Sequence, residues 1–270
     1  MSVLYFFLLV SYSLSVLGYF VDFMQPNQKV NRMAFWLLSI VWIVQLFLFI
    51  YRFVTLERLP IMTAFEGMFV YVWILVSISL ILNARVRMNI FMLLVNTIGF
   101  ILLSISLMMP AEEVSSRLAD VLITEFLVVH VGLLMLSYGA FTISFVFALL
   151  YVIHHKLLKK KVWGRWMEKF GSLSSLERYS YYAVLMGTPL LFTGLILGMV
   201  WAAMTTGGVP WFDLKVLSSF LVLLVYGAYL VQYRVAGMRG YSVSLLNTAA
   251  FLLLLINYFL SSEFSDFHIW

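Results

Sequence analysis

The sequence predicts an all-α polytopic membrane protein: about eight transmembrane helices, N- and C-termini outside, with an outer and an inner amphipathic interfacial helix. Three observations predict it. The 270-residue chain is 64% hydrophobic and 11% charged, with a mean hydropathy of +1.03, whereas a soluble domain is roughly half apolar. Its apolar residues gather into nearly uncharged windows of about 20 residues, the length that crosses a bilayer core. Its basic residues fall mostly on one side of those windows.

The spans read at residues 3–22, 34–53, 61–82, 89–109, 127–153, 178–203, 215–233 and 242–260. The first lacks a basic n-region, and its first basic residue is Lys29, after the apolar run. This is the pattern of an uncleaved span entering from outside. With that start, Lys29, Arg32, Arg85, Arg87, Lys156, Lys159, Lys160, Lys161, Arg165, Lys169, Arg178, Arg234 and Arg239 lie inside, 13 of the 17 basic residues. Arg52, Arg58, Arg117 and Lys215 lie outside. Asp22, Glu168 and Glu177 are the inner acids, and the other nine of 12 lie at the outer side. The positive-inside rule therefore agrees with the assumed orientation. The chain reads as one integral membrane domain over residues 1–270 in a bacterial cell membrane.

Two connections are long enough for structure of their own. Residues 110–126 begin with Pro110 and acids, and Val114, Leu118, Val121 and Leu122 share a helical face, so an outer surface helix is expected. Residues 155–177 pair Trp163, Trp166, Met167 and Phe170 with a lysine- and arginine-rich face suited to anionic lipid, the inner counterpart. Ser174 and Glu177 have capping-box spacing for the next span. Gly194, Gly198 and Ala202, and likewise Ala140, Ser144 and Ala148, follow the small-xxx-small pattern of close helix contacts. Pro189 is expected to kink the sixth span.

Zero cysteines exclude disulfides, thiolate metal sites and covalent c-type haem attachment. No P-loop, nucleophile elbow or HExxH motif occurs, so no enzyme activity is read from the sequence. Nor does the +5 charge imply nucleic-acid binding, because it sorts by membrane side.

Four histidines remain. His154 and His155 end the fifth span at the inner face and read as an interfacial polar cap. His130, at the outer end of that span, and His268, just after the eighth, fall on the outer side. So does the loop 209-VPWFDLKV-216. Alone, each histidine reads as an interfacial residue, and Trp211 and Phe212 as aromatic-belt anchors. Together they supply two imidazoles for iron and aromatic walls for a flat apolar disc, the needs of a haem. Two histidines fall short of the usual zinc set, although Asp213 or Glu66 could complete one. Glu66, at the outer end of the third span, has two readings: a functional acid inside a membrane segment, or an acid at a wet interface.

At these residues the chain resembles the cytochrome c assembly family, haem-handling membrane proteins with a tryptophan-rich outer loop. Pro210-Trp211-Phe212-Asp213-Leu214-Lys215-Val216 is similar to the family's WxWDPKE-like core, matching at Asp213 and Lys215, with Phe212 where a tryptophan is expected. Trp201-Ala202 resembles the preceding WA, the stretch from His130 to Ala140 an HVSxxxLSYAA segment, and Phe267-His268 a closing LHS motif. Pro60 with Glu66 resembles a P-x-x-x-x-x-E element. The resemblance spans residues 60–270, and the chain's size and its opening segment resemble the HemX branch. It implies haem bound non-covalently, His130 and His268 as axial ligands, and Trp211, Phe212, Asp213, Trp201 and Glu66 around the porphyrin. It implies a role in haem sensing, holding or export. It also implies control of tetrapyrrole synthesis, with glutamyl-tRNA reductase as a partner of the basic inner segment 155–178. The structural alternative for that segment is positive-inside anchoring.

Overall fold

A computed structural model describes residues 2–86, 88–109, 125–161, 167–206 and 208–263. Eight long helices occupy the eight expected spans: α1 (Ser2–Met24), α2 (Gln28–Leu56), α3 (Ala64–Val86), α4 (Asn89–Met108), α5 (Glu125–Lys159), α6 (Leu173–Thr206), α7 (Leu214–Arg234) and α8 (Tyr241–Glu263). Each is long and apolar enough to cross a membrane, and no strand occurs among the described residues. In lipid every backbone N–H and C=O must be satisfied within the protein, which a helix does by itself. The chain is a multi-pass cell membrane protein.

The packing divides into two compact units, residues 1–123 and 124–270. In the first, α1 packs on α2, α2 on α3, α3 on α4, and α4 back on α1. In the second, α5 packs on α6, α6 on α7, α7 on α8, and α8 back on α5. Each unit is thus a ring of four helices joined in chain order.

Polar side chains stitch each ring where lipid offers no competing water. In the first unit Ser15 donates to the Ala34 carbonyl at 2.8 Å, and the Trp42 indole to Ser77 at 2.7 Å. Tyr12 and Ser79 both donate to Asn96 Oδ1, tying α1, α3 and α4. Asp22 accepts from the Asn27 backbone, from Asn31 and from Asn89, which joins α1, α2 and α4 at the inner end. In the second unit Ser137 donates to the Gly187 carbonyl at 2.9 Å and Ser144 to that of Ser180 at 2.8 Å. The Asn247 amide nitrogen reaches both Ser144 Oγ (2.6 Å) and Ser180 Oγ (2.7 Å). Single interhelical bonds of this kind are worth about 0.6–2 kcal/mol in membranes.

The connections differ from expectation in informative ways. Helix α5 has 35 residues, about 52 Å at 1.5 Å per residue, far more than a bilayer core of about 30 Å. The span helix itself therefore takes up residues 155–159 of the expected inner amphipathic segment. A short 3₁₀ turn, Met167–Phe170, follows. Residues 162–166, with Trp163 and Trp166, lie outside the described residues, as do residues 110–124 of the outer helix expected over 110–126, whose last two residues begin α5. Helix α6 starts at Leu173, with Ser172 Oγ accepting from the Ser175 N–H, so the cap is Ser172 and not Ser174. Glu177 instead accepts from the backbone of Gly240, in the α7–α8 turn, at 3.2 Å. Pro189 lies inside a continuous α6.

Candidate functional site

His130 sits in the second turn of α5 and faces α6. Its Nδ1 is 2.6 Å from the carbonyl oxygen of Gly194. A carbonyl only accepts, so the proton is on Nδ1 and Nε2 keeps its lone pair. Among the described residues Nε2 has no hydrogen-bond partner. The ring lies over Gly198, where any Cβ would collide with its Cε1 and Nδ1. Gly194 serves the same close approach: a Cβ there would stand 2.8 Å from Leu134 Cδ2. The glycines at 194 and 198 thus bring α5 and α6 together and seat the imidazole between them.

Residues 208–213 lead into α7. This loop tightens through Trp211 N–H to the Val209 carbonyl (2.9 Å) and Asp213 N–H to that of Pro210 (3.1 Å). Asp213 is the N-cap of α7: its Oδ1 accepts from the N–H groups of Lys215 (2.9 Å) and Val216 (3.3 Å). Oδ1 serves helix donors that otherwise have no partner, and the charge meets the positive end of the helix dipole. Trp211 is 55% exposed and stacks near Phe220 at 6.4 Å, while Phe212 is 93% exposed. Trp201 points inward at 5% exposure. His130 packs on Gly198, about two turns before α6 ends and the loop begins, so the loop and the histidine lie toward the same end of the second unit. His268 lies outside the described residues.

Glu66 belongs to the first unit and to a different arrangement. It is 1% exposed and lies in the first turn of α3. Thr63 Oγ1 accepts from the Glu66 N–H at 3.2 Å, and Glu66 Oε2 accepts from the Thr63 N–H at 3.3 Å, which is a capping box. The same oxygen takes the Met62 N–H at 2.9 Å. Arg58 then grips both carboxylate oxygens, at 2.9 and 3.1 Å. The signal Thr63-x-x-Glu66 stands in the sequence, and with it the structural use of this acid. Of the two sequence readings, a wet interface does not hold at this burial.

At the inner end of the second unit His154 is 7% exposed beside Phe170, with ring centroids 5.4 Å apart, and His155 lies 5.1 Å from the Tyr241 ring. Among the described residues no three His, Asp or Glu side chains gather to hold a bare metal ion.

Comparison with known proteins gives a consistent answer. The cytochrome C assembly protein family model matches residues 61–268. The chain is 43% identical to Protein HemX of Bacillus subtilis (strain 168), over 96% of this chain and 94% of that one. It is 41% identical to Protein HemX of Brevibacillus brevis over the same shares. Among solved structures, Cytochrome c Heme Lyase CcmF superposes with a TM-score of 0.67 at 14% identity, covering 95% of this chain. The chain spans about half the length of CcmF, 46%, so that likeness speaks to fold. Family match, near-full-length identity and shared fold agree: this chain belongs to the cytochrome c assembly protein family and to its HemX branch.

Proposed function

We propose that this membrane protein is a non-enzymatic haem-binding protein, holding haem non-covalently at the outer end of its second unit, with His130 Nε2 as one axial ligand of the iron. The observation that carries this is the bond from His130 Nδ1 to the Gly194 carbonyl. It fixes the tautomer, orients the ring and raises the basicity of Nε2, as partners of metal-bound imidazoles generally do. The residues fit the group in two further respects. Trp211 and Phe212 offer exposed apolar rings beside a membrane surface, and Lys215 brings a cation to the neighbourhood of His130, where propionates need one. When bound, the haem would supply an iron centre for ligand exchange or sensing.

The residues divide the work in this reading. His130 is a ligand and His268 is assigned the second axial position. Trp211 and Phe212 cover the porphyrin. Asp213 holds the loop on α7 through its cap, and Trp201 packs beneath as a support. Glu66 acts within its own unit by fixing the start of α3. The test is a haem titration of the detergent-purified protein. A six-coordinate low-spin spectrum is expected, lost on replacing both His130 and His268 by alanine. A double variant with unchanged spectrum and affinity overturns the axial assignment.

The membership of the HemX branch and the exposed run Lys159-Lys160-Lys161 at the end of α5 favour a second role on the inner side. There the lysines would meet a soluble enzyme of tetrapyrrole synthesis, glutamyl-tRNA reductase, and control its level. Replacing the three lysines by glutamine should change the level of that enzyme in cells while membrane insertion stays intact. An unchanged level removes this role and leaves the lysines as ordinary inner anchors.

A further inference from the structure

At the outer end of the first unit two guanidiniums, Arg52 and Arg58, share one buried carboxylate, that of Glu66. Arg58 satisfies Glu66 with two bonds at 2.9 and 3.1 Å and gives a third to the Leu59 carbonyl at 3.2 Å. That closes the pair, one charge against one. Arg52 approaches the same carboxylate only at 3.5 Å, through its Nη2. Its one hydrogen bond is a long 3.4 Å contact from Nη1 to the Tyr5 hydroxyl. Its Nε is buried and has no partner among the described residues. A guanidinium has five N–H donors, and among the described residues those on Arg52 meet the Tyr5 hydroxyl and the shared Glu66 oxygen while Nε meets none.

Its surroundings say what is missing. The guanidinium carbon lies 4.7 Å over the Phe65 ring, which holds its plane on one side. The side chain is 28% exposed. The neighbours Tyr51, Phe53 and Val54 are 42%, 46% and 67% exposed on a helix that crosses the membrane, so they face lipid. Arg52 stands one turn before the end of α2, the depth at which acyl chains give way to headgroups. A partly exposed guanidinium at that depth, which shares its carboxylate with a second one, matches the oxyanion of a lipid.

The geometry points to Arg52 as a binding site for one phospholipid phosphate of the outer leaflet. The preference is for phosphatidylglycerol, whose phosphate charge is not already matched by an ammonium in its own headgroup. The buried Arg58–Glu66 pair makes the site: by bonding both oxygens of Glu66, it leaves Arg52 a shared contact at 3.5 Å and no carboxylate of its own among the described residues. This proposal does not rest on the haem reading.

The test uses the full-length protein in phosphatidylcholine nanodiscs with added phosphatidylglycerol. Native mass spectrometry then counts the lipid retained on release. One phosphatidylglycerol per chain is expected on the wild type, and at least tenfold lower occupancy for Arg52→Gln. Arg52→Lys, which keeps the charge and loses the fork, should fall between them and serves if Arg52→Gln does not fold. His130→Ala should retain the lipid fully. Equal retention by wild type and both Arg52 variants overturns the site. So does displacement of the lipid by inorganic phosphate at equal concentration, which would mean a free-anion site, or by haem, which would assign the oxyanion to a propionate.

Discussion

The Nδ1 of His130 and the carbonyl of Gly194, 2.6 Å apart on α5 and α6, settle which nitrogen of the imidazole is open. The bond requires the two helices to touch, and they touch because glycines at 194 and 198 keep that strip of α6 free of side chains. Replacing Gly198 by alanine puts a Cβ into the His130 ring. Overpacking of this kind costs about 1–3 kcal/mol. The variant should melt lower, and its haem spectrum should broaden toward mixed coordination. A variant with the wild-type spectrum would mean that the ring is not held where the iron needs it.

Asp213 and its isosteres separate two uses of one residue. As an N-cap it should be replaceable by asparagine or serine with little effect, while alanine should cost about 1 kcal/mol of stability. Haem affinity should follow the cap, with Asp213→Asn near wild type and Asp213→Ala weaker. If Asp213→Asn binds haem as poorly as Asp213→Ala, the carboxylate charge itself contacts the cofactor.

Glu66→Gln removes the charge that neutralises Arg58 and leaves a buried guanidinium unmatched. Breaking a buried pair by removing one partner costs about 3–5 kcal/mol. The variant should be strongly destabilised, as read by thermal unfolding in detergent. The protein that remains folded should keep the wild-type haem spectrum. A stable Glu66→Gln protein with a changed spectrum would return Glu66 to the haem site.

Asn247 joins α8 to both Ser144 of α5 and Ser180 of α6. Asn247→Leu should lower stability by about 1–3 kcal/mol, because it removes the amide's bonds to Ser144 and Ser180 and takes a partner from each serine. Hydrogen exchange at the inner halves of those helices checks it, and unchanged protection would show that the network contributes nothing.

Where the sequence was legible, one strong physical demand stood behind it. Lipid cannot hydrogen-bond a backbone, so each span had to be a long apolar helix, and all eight were visible as such. The close approach of α5 and α6 was visible in the small residues at 194, 198 and 202, for a similar reason. Local signals with two possible frames were less decisive. The serines at 172, 174 and 175 offer overlapping starts for α6, and the cap falls on Ser172. Glu177, fit for a capping box by spacing, turns instead to the Gly240 backbone, 63 residues away. The working capping box lies at Thr63 and Glu66, where the acid drew attention as an anomaly within a span. Its neutralisation by Arg58 depends on how the chain folds back before α3, and spacing does not encode that. Asp213 shows the same limit. Its place in the aromatic loop suggests a contact with the cofactor, and spacing alone does not say that its Oδ1 also caps its own helix.

The central claim is that His130 Nε2 is an open axial ligand. The most direct measurement is the visible absorption spectrum of haem-loaded protein carrying the single substitution His130→Ala, with and without added imidazole. Conversion from six- to five-coordinate haem, with imidazole restoring the wild-type bands, is the predicted result. A wild-type spectrum in the variant without imidazole would contradict it.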